Sequence, residues 1–235
     1  QPKRLLLATD LSPRSDRALD RAAALAKELS AELFVVHVLE KDSWGDDDNG
    51  PWKRSPDRLD NVRRQLLRDV GAVTPKATIL IEEGDPAEAI LRTAEREQCN
   101  LIVTGVARDE LLGRFRLGKS VEKILRTATV PVLVAKNRVH RRYNGIVVAT
   151  DFSEGSRQAL HAATACFPGR RFTIFHADAD TSEAQRRQRE EALRRDCTDF
   201  VGTVLPDWET RIEFGAPDNL LRQHAEEQRM DLVVL

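Results

Sequence analysis

Short apolar runs and amphipathic segments alternate along the first half of the chain. Each apolar run is continuous, which is typical of a strand buried on both faces of a parallel sheet. Between the runs, apolar residues recur at helical spacing, most clearly in the stripe from Ala18 to Leu29. The runs predict strands over residues 5–8, 32–38, 77–81, 101–104 and 132–135.

Helix signals fill the gaps between these strands. Asp10 or Ser12 is a candidate N-cap for the first helix, and Pro86 is suited to the first turn of another. Further helices are predicted near 57–70 and 120–126. Strands that alternate with helices predict an α/β fold with an open parallel sheet built from Rossmann-type βαβ units. In such sheets a ligand binds beyond the carboxyl ends of the strands, where the strand order switches.

The pattern occurs twice. Residues 4–19 (RLLLATDLSPRSDRAL) align with residues 145–160 (GIVVATDFSEGSRQAL). Further along, residues 82–104 align with residues 213–235 in the same order. Two blocks that match in one order indicate an internal repeat rather than chance similarity.

The repeat predicts two tandem open parallel-sheet domains, over residues 1–140 and 141–235. The second copy reaches Leu235 where the first has Thr104, so it has no counterpart of residues 105–136. We therefore expect a second domain that is incomplete at its C-terminus, before its glycine loop and last strand.

The composition of the chain bears on whether it binds nucleic acid or a membrane. The chain has 235 residues, a formal net charge of -1 and 32% charged residues, so no overall field attracts a nucleic acid. No apolar run is long enough to span a membrane. The three cysteines are odd in number and widely spaced, as expected for buried thiols in a reducing compartment. These features predict a soluble cytoplasmic protein that binds neither nucleic acid nor membrane.

One segment matches a phosphate-loop pattern. Gly113 is followed after four residues by Gly118-Lys119-Ser120. That loop requires a strand that runs directly into its first glycine, whereas residues 109–112 intervene here. Phe115 and Leu117 are also bulky for a loop that wraps phosphates. An ATP-hydrolysing enzyme that uses residues 113–120 is therefore the weakest of the hypotheses, and no Ser-His-Asp, paired-carboxylate or Cys-x-x-Cys pattern supports another enzyme.

A family resemblance explains the same residues better. The motifs that carry it are Ala8-Thr9-Asp10, Gly84-Asp85-Pro86, the glycines at 105 and 118, and Pro131-Val132-Leu133-Val134. In this order they resemble the universal stress protein family, and the resemblance covers essentially the whole chain, with one such domain per repeat. The resemblance implies two adenine nucleotide α-hydrolase-like domains, a role in stress response, and at most weak ATPase or autophosphorylation activity.

The resemblance also implies a site for ATP or a related adenine nucleotide, with Mg²⁺, in the first domain. Asp10 would hold the ribose, the backbone near Val38 the adenine, and the glycine loop with the following helix the phosphates. Glycines permit close backbone approach, and a helix N-terminus favours anions. The residues so implied are Ala8, Thr9, Asp10, Val38, Gly105, Arg108, Gly118, Lys119 and Ser120.

This glycine loop departs from the family pattern. Arg108 stands where the family has glycine, Lys119 where it has Ser or Thr, and Ser120 comes one position late. The two cations either add charge to the phosphates or obstruct them. The alternative function is a module of the same fold that binds no nucleotide and acts by self-association, through pairing of its domains or as a homodimer, with the apolar strand at 131–134 as the pairing edge.

A histidine in the second strand of each copy is a candidate metal ligand. His37 and His176 occupy corresponding positions, but no cluster of cysteines or carboxylates surrounds either at metal-ligand spacing. We therefore interpret both as packed strand histidines.

Overall fold

The computed structural model describes residues 3–12, 15–39, 56–106, 110–111, 114–115, 117–179 and 186–235. The chain divides into two compact units, an N-terminal unit that extends to His140 and a C-terminal unit over Arg141–Leu235. Within the described ranges, none of the helices combines the length and apolarity needed to cross a bilayer.

The N-terminal unit is built on a parallel five-stranded sheet with the strand order β3-β2-β1-β4-β7. Its elements are β1 (Arg4–Ala8), α1 (Ser15–Leu29), β2 (Glu32–Leu39), α2 (Pro56–Val73), β3 (Thr78–Glu83), α3 (Pro86–Arg96), β4 (Leu101–Gly105), β5 (Glu110–Leu111), β6 (Arg114–Phe115), α4 (Lys119–Thr127) and β7 (Val132–Ala135). The predicted open parallel sheet of an α/β fold is confirmed.

Helices cover both faces of this sheet, which explains why residues 5–8 of its central strand are all apolar. Leu5, Leu6 and Leu7 of β1 are all 0% exposed. Leu6 belongs to a core cluster with Ile90 of α3 and Ile124 of α4 on one face. Leu7 lies beside residues of α1 and α2 on the opposite face. A strand covered on both sides shows no polar alternation, as the sequence pattern indicates.

The strand order switches direction at β1. This strand pairs with β2 on one side and with β4 on the other, so the chain leaves β1 and β4 toward opposite edges of the sheet. The carboxyl ends of β1 and β4 therefore border a crevice in which an open α/β sheet places its ligands.

The helix that follows β3 begins as predicted at the motif Gly84-Asp85-Pro86. Gly84 has a φ of 124°, a conformation that glycine adopts without strain. Asp85 caps α3 by accepting a hydrogen bond from the N–H of Glu88 at 2.9 Å, and Pro86 occupies the first turn. The tight turn directs α3 back across the sheet.

The C-terminal unit repeats this arrangement with four strands, in the order β10-β9-β8-β11. Its elements are β8 (Gly145–Ala149), α5 (Glu154–Cys166), β9 (Arg171–Asp178), α6 (Arg186–Val201), β10 (Glu209–Phe214), α7 (Pro217–Glu227) and β11 (Leu232–Val234). All pairings are parallel. The second parallel-sheet domain is therefore present and shorter than the first.

The three cysteines are buried thiols, as expected from their spacing. Cys99, Cys166 and Cys197 are unbonded, and each is at most 4% exposed. Burial raises the pKa of each thiol to about 11. Little reactive thiolate therefore forms near neutral pH.

His224 is a partly buried histidine of the C-terminal unit. It lies on α7 beside the ring of Phe175, and its buried Nε2 atom has no hydrogen-bond partner among the described residues. Burial lowers the pKa of His224 below its ordinary 6.5, and Arg211 adds to this effect. The carboxylates that oppose the shift are Glu213, Glu227 and Glu209.

The unfolded chain therefore binds a proton at His224 more tightly than the folded chain does. We expect the free energy of unfolding to decrease as pH falls below 6.5, until the lowered pKa is passed. Urea denaturation at several pH values would measure this slope, and His224→Thr should reduce it. His140→Gln, at an exposed position, controls for the loss of an imidazole. An unchanged slope in His224→Thr would contradict the prediction.

Candidate functional site

A cavity of about 360 Å³ lies at the switch point of the N-terminal sheet. Its floor is apolar and comes from both the strands and the helices, with Val36, Ile90 and Ile124 among its members. Its rim is polar and includes the exposed side chains of Asp10 and Lys119. A cavity of this volume with few polar groups above an apolar floor is suited to a small molecule.

The structure brings the predicted site residues together around this cavity. They come from the ends of β1, β2 and β4 and from the start of α4, segments that lie far apart in the sequence. Arg108 lies outside the described residues. The predicted residues that line the cavity are Ala8, Thr9, Asp10, Val38, Gly105, Gly118, Lys119 and Ser120.

Side-chain hydrogen bonds hold the loop that follows β1. The hydroxyl of Thr9 accepts from the N–H of Leu11 at 3.1 Å, and Oδ1 of Asp10 accepts from the N–H of Ser12 at 3.0 Å. Leu11 has a φ of 60°, which few residues other than glycine adopt. The loop is thus fixed in one uncommon conformation that presents Asp10 at the rim of the cavity.

The C-terminal unit contains the same loop. Thr150 accepts from the N–H of Phe152 at 2.8 Å, and Asp151 accepts from the N–H of Ser153 at 2.9 Å. Phe152 has a φ of 65°, matching Leu11. Hydrogen bonds from the side chain and backbone of Ser153 lower the pKa of Asp151 to about 2. The repeat therefore preserves the hydrogen bonds of the loop as well as its sequence.

Each unit also ties this loop to its second strand through a histidine. Nδ1 of His37 lies 2.9 Å from the carbonyl oxygen of Thr9, and Nδ1 of His176 lies 2.8 Å from that of Thr150. These contacts support the interpretation of both residues as packed strand histidines. Among the described residues, no group of three or more His, Cys, Asp or Glu side chains is arranged to hold a metal ion.

The N-terminus of α4 faces the cavity, and within the part of the chain that the structure describes no side chain caps it. Gly118 is the N-cap residue and supplies no side-chain hydrogen bond, so the first N–H groups of the helix are available to a ligand. A helix of this length favours an anion at that end. Gly118, Lys119 and Ser120 all line the cavity.

An ion-pair network holds α4 against α3. Nζ of Lys123 lies 2.9 Å from Oε1 of Glu88 and 3.3 Å from Oδ1 of Asp85. The backbone N–H of Glu88, together with Lys123, lowers the pKa of Asp85. Exposed pairs of this kind contribute little to stability, but they connect the cap of α3 to the helix above the cavity.

The phosphate-loop pattern falls in a different structure. β5 and β6 pair antiparallel, with Glu110 opposite Phe115. Gly113 lies outside the described residues, but Arg114 directly after it belongs to β6. A phosphate loop instead joins a strand of the main sheet directly to a helix. The ATP-hydrolysis hypothesis based on residues 113–120 gains no support from this ribbon.

Comparison with known proteins identifies the family. The sequence profile described as the universal stress protein family matches residues 2–136, which is more than half of the chain. The chain belongs to the universal stress protein family.

Individual relatives agree with this assignment. A universal stress protein of Thermus aquaticus is 35% identical over 141 residues, covering 57% of this chain and 98% of the relative. One of Methanocaldococcus jannaschii is 30% identical over 139 residues, covering 57% of this chain and 82% of the relative. A crystal structure of a universal stress protein from Archaeoglobus fulgidus covers 99% of this chain and 86% of its own, with a TM-score of 0.72 and 22% identity. At 22% identity, the similarity to the Archaeoglobus fulgidus structure concerns the fold alone.

Several residues around the cavity of this universal stress protein have no signal in a single sequence. Val36, Ile90, Val121 and Ile124 resemble ordinary core positions until the topology places them under one cavity. A serine stands at the same position in both repeats, as Ser15 and Ser156, but there it forms part of a pattern that leads into a helix. Matching polar positions between the two copies was the one signal that could have identified Ser15.

Proposed function

We propose that the N-terminal unit binds an adenine nucleotide such as ATP in its switch-point cavity. One observation carries the proposal: a single cavity combines an apolar floor, a carboxylate on its rim and an uncapped helix N-terminus. These are the three environments that a purine base, a ribose and a polyphosphate need. Membership of the universal stress protein family supports it.

In this proposal the base, the ribose and the phosphates of the nucleotide each bind to a different part of the cavity. The base lies on the apolar floor near Val38, and the carboxylate of Asp10 accepts hydrogen bonds from the ribose hydroxyls. The phosphates lie against Gly105 and the N-terminus of α4, where Lys119 adds positive charge. Mg²⁺ would bind mainly through phosphate oxygens and water, as it does in many nucleotide complexes.

The proposal treats the chain as a nucleotide-responsive protein rather than a dedicated enzyme. It assigns two tandem universal stress protein domains, residues 1–140 and 141–235, a cytoplasmic location and a role in stress response. The two units do not have equal roles, because the helix N-terminus that lines the nucleotide site belongs to the N-terminal unit.

Calorimetric titration with ATP and Mg²⁺ tests this function. We expect one site per chain, since the proposed cavity belongs to one unit, and a thermal shift toward higher temperature on binding. Native mass spectrometry of the purified protein should show mass added by bound nucleotide. Absence of both heat and thermal shift would contradict the proposal.

A second candidate function is self-association without nucleotide. It is favoured by the position of β7 at the edge of the sheet, where Val132 and Val134 are only half-buried, because an edge strand can pair with another chain. Native masses at multiples of 26.5 kDa, with no bound nucleotide and no response to ATP, would favour this candidate.

A further inference from the structure

Ser15 holds the carboxylate of Asp10 from inside the cavity wall. It is the first residue of α1 and is only 8% exposed. Its hydroxyl donates a hydrogen bond to Oδ1 of Asp10, and the N–H of Asp10 donates to its Oγ at 3.3 Å. The same Oδ1 accepts from the N–H of Ser12 at 3.0 Å. Two donors on one oxygen restrict the rotation of a carboxylate that lies at an exposed position.

Fixing this carboxylate matters because a surface aspartate is otherwise free to rotate. A side chain that must be ordered on binding loses rotamer freedom, and that loss subtracts from affinity. Hydrogen bonds to a charged oxygen are also among the stronger ones in proteins. Ser15 therefore holds Asp10 in one orientation before any ligand arrives.

The corresponding serine of the C-terminal unit has a different set of contacts. The hydroxyl of Ser156 lies 3.0 Å from the hydroxyl of Thr150 and donates to the carbonyl of Ser153 at 3.0 Å. Ser153 is the main cause of the low pKa of Asp151, and Ser156 is a minor one. Ser156 thus chiefly supports the start of the helix in the C-terminal unit, whereas Ser15 holds the carboxylate in the N-terminal unit.

We infer that Ser15 is a positioning residue that gives the cavity its preference for ligands with a ribose 2′,3′-diol. Two adjacent hydroxyls can donate together to a carboxylate of fixed orientation, whereas a sugar without them makes no such contact. This inference rests on the proposed function, because it assumes that the cavity binds a nucleotide.

The test compares ATP with 2′,3′-dideoxy-ATP in calorimetric titrations of the full chain. Ser15→Ala should weaken ATP binding about fivefold, the loss expected for one ordinary hydrogen bond, and leave dideoxy-ATP binding unchanged. Ser15→Thr, which keeps the hydroxyl, should restore most of the ATP affinity. Ser156→Ala is the matched control and should bind both nucleotides as the wild type does. Thermal unfolding would verify that each variant is folded.

A double-mutant cycle supplies a second readout. If Ser15 acts through Asp10, the effects of Ser15→Ala and Asp10→Asn on ATP affinity should not add. Equal losses for ATP and dideoxy-ATP, or additive effects in the cycle, would overturn the inference while leaving the proposed function intact. If the wild-type chain binds neither nucleotide, the proposed function fails, and the inference fails with it.

Discussion

Ile124→Ala is expected to lower the free energy of unfolding of the N-terminal unit by about 2–5 kcal/mol. Ile124 is 1% exposed and belongs to the core cluster with Leu6 and Ile102, so its truncation removes buried contacts and leaves a void. Its side chain anchors the middle of α4, whose first turn borders the cavity. Urea denaturation of the full chain followed by circular dichroism measures the loss, and hydrogen exchange assigns it to one unit.

The neighbouring residue provides the control. Leu125 is on the same helix but 42% exposed, so Leu125→Ala should change the free energy of unfolding by less than about 1 kcal/mol. If the two variants were equally destabilised, α4 would not be anchored through Ile124. We also expect Ile124→Ala to weaken ATP binding, because a loosened α4 no longer holds its N–H groups over the cavity.

The fold could be predicted because local patterns and the repeat agreed. A strand buried on both faces is continuously apolar, as in residues 5–8, and the helices between strands carry their own capping signals, as at Asp85. The position of the cavity followed from topology, because a doubly wound sheet has one switch point. The strands and helix caps depend on residues that are close together in the sequence, and the switch point depends only on the order of those elements.

Other features depend on contacts that no local pattern contains. The ribbon of β5 and β6 follows β4 in a segment that the sequence suggested for a glycine loop. Strand ends also shifted, since β3 extends to Glu83 rather than to residue 81. The hydrogen bond between Ser15 and Asp10 depends on the loop conformation around Leu11. Residues other than glycine seldom adopt that conformation, so the sequence does not predict it.

The repeat explains why the two units need to be tested together. In both loops after the first strand, the Thr and the Asp side chains accept from the backbone N–H two residues on. A purely structural effect of changing the Thr or the Asp should therefore appear in both copies. An effect on ligand binding should appear only where the cavity joins that loop to the uncapped start of α4. The internal repeat therefore provides a matched control for substitutions in the loop after the first strand.

Asp10→Ala is the substitution with the largest expected effect on binding, a loss of ATP affinity of about 10- to 100-fold. Hydrogen bonds to a charged group contribute about 1.5–3 kcal/mol, and each 1.4 kcal/mol corresponds to about tenfold in affinity. Asp10→Asn keeps an acceptor for Ser12 and Ser15 but removes the charge, so its loss should be smaller. Asp151→Ala removes the matching carboxylate from the C-terminal unit and should leave ATP affinity unchanged. If Asp10→Ala lost no more ATP affinity than Asp151→Ala, measured by calorimetry, the carboxylate of Asp10 would not bind the ribose.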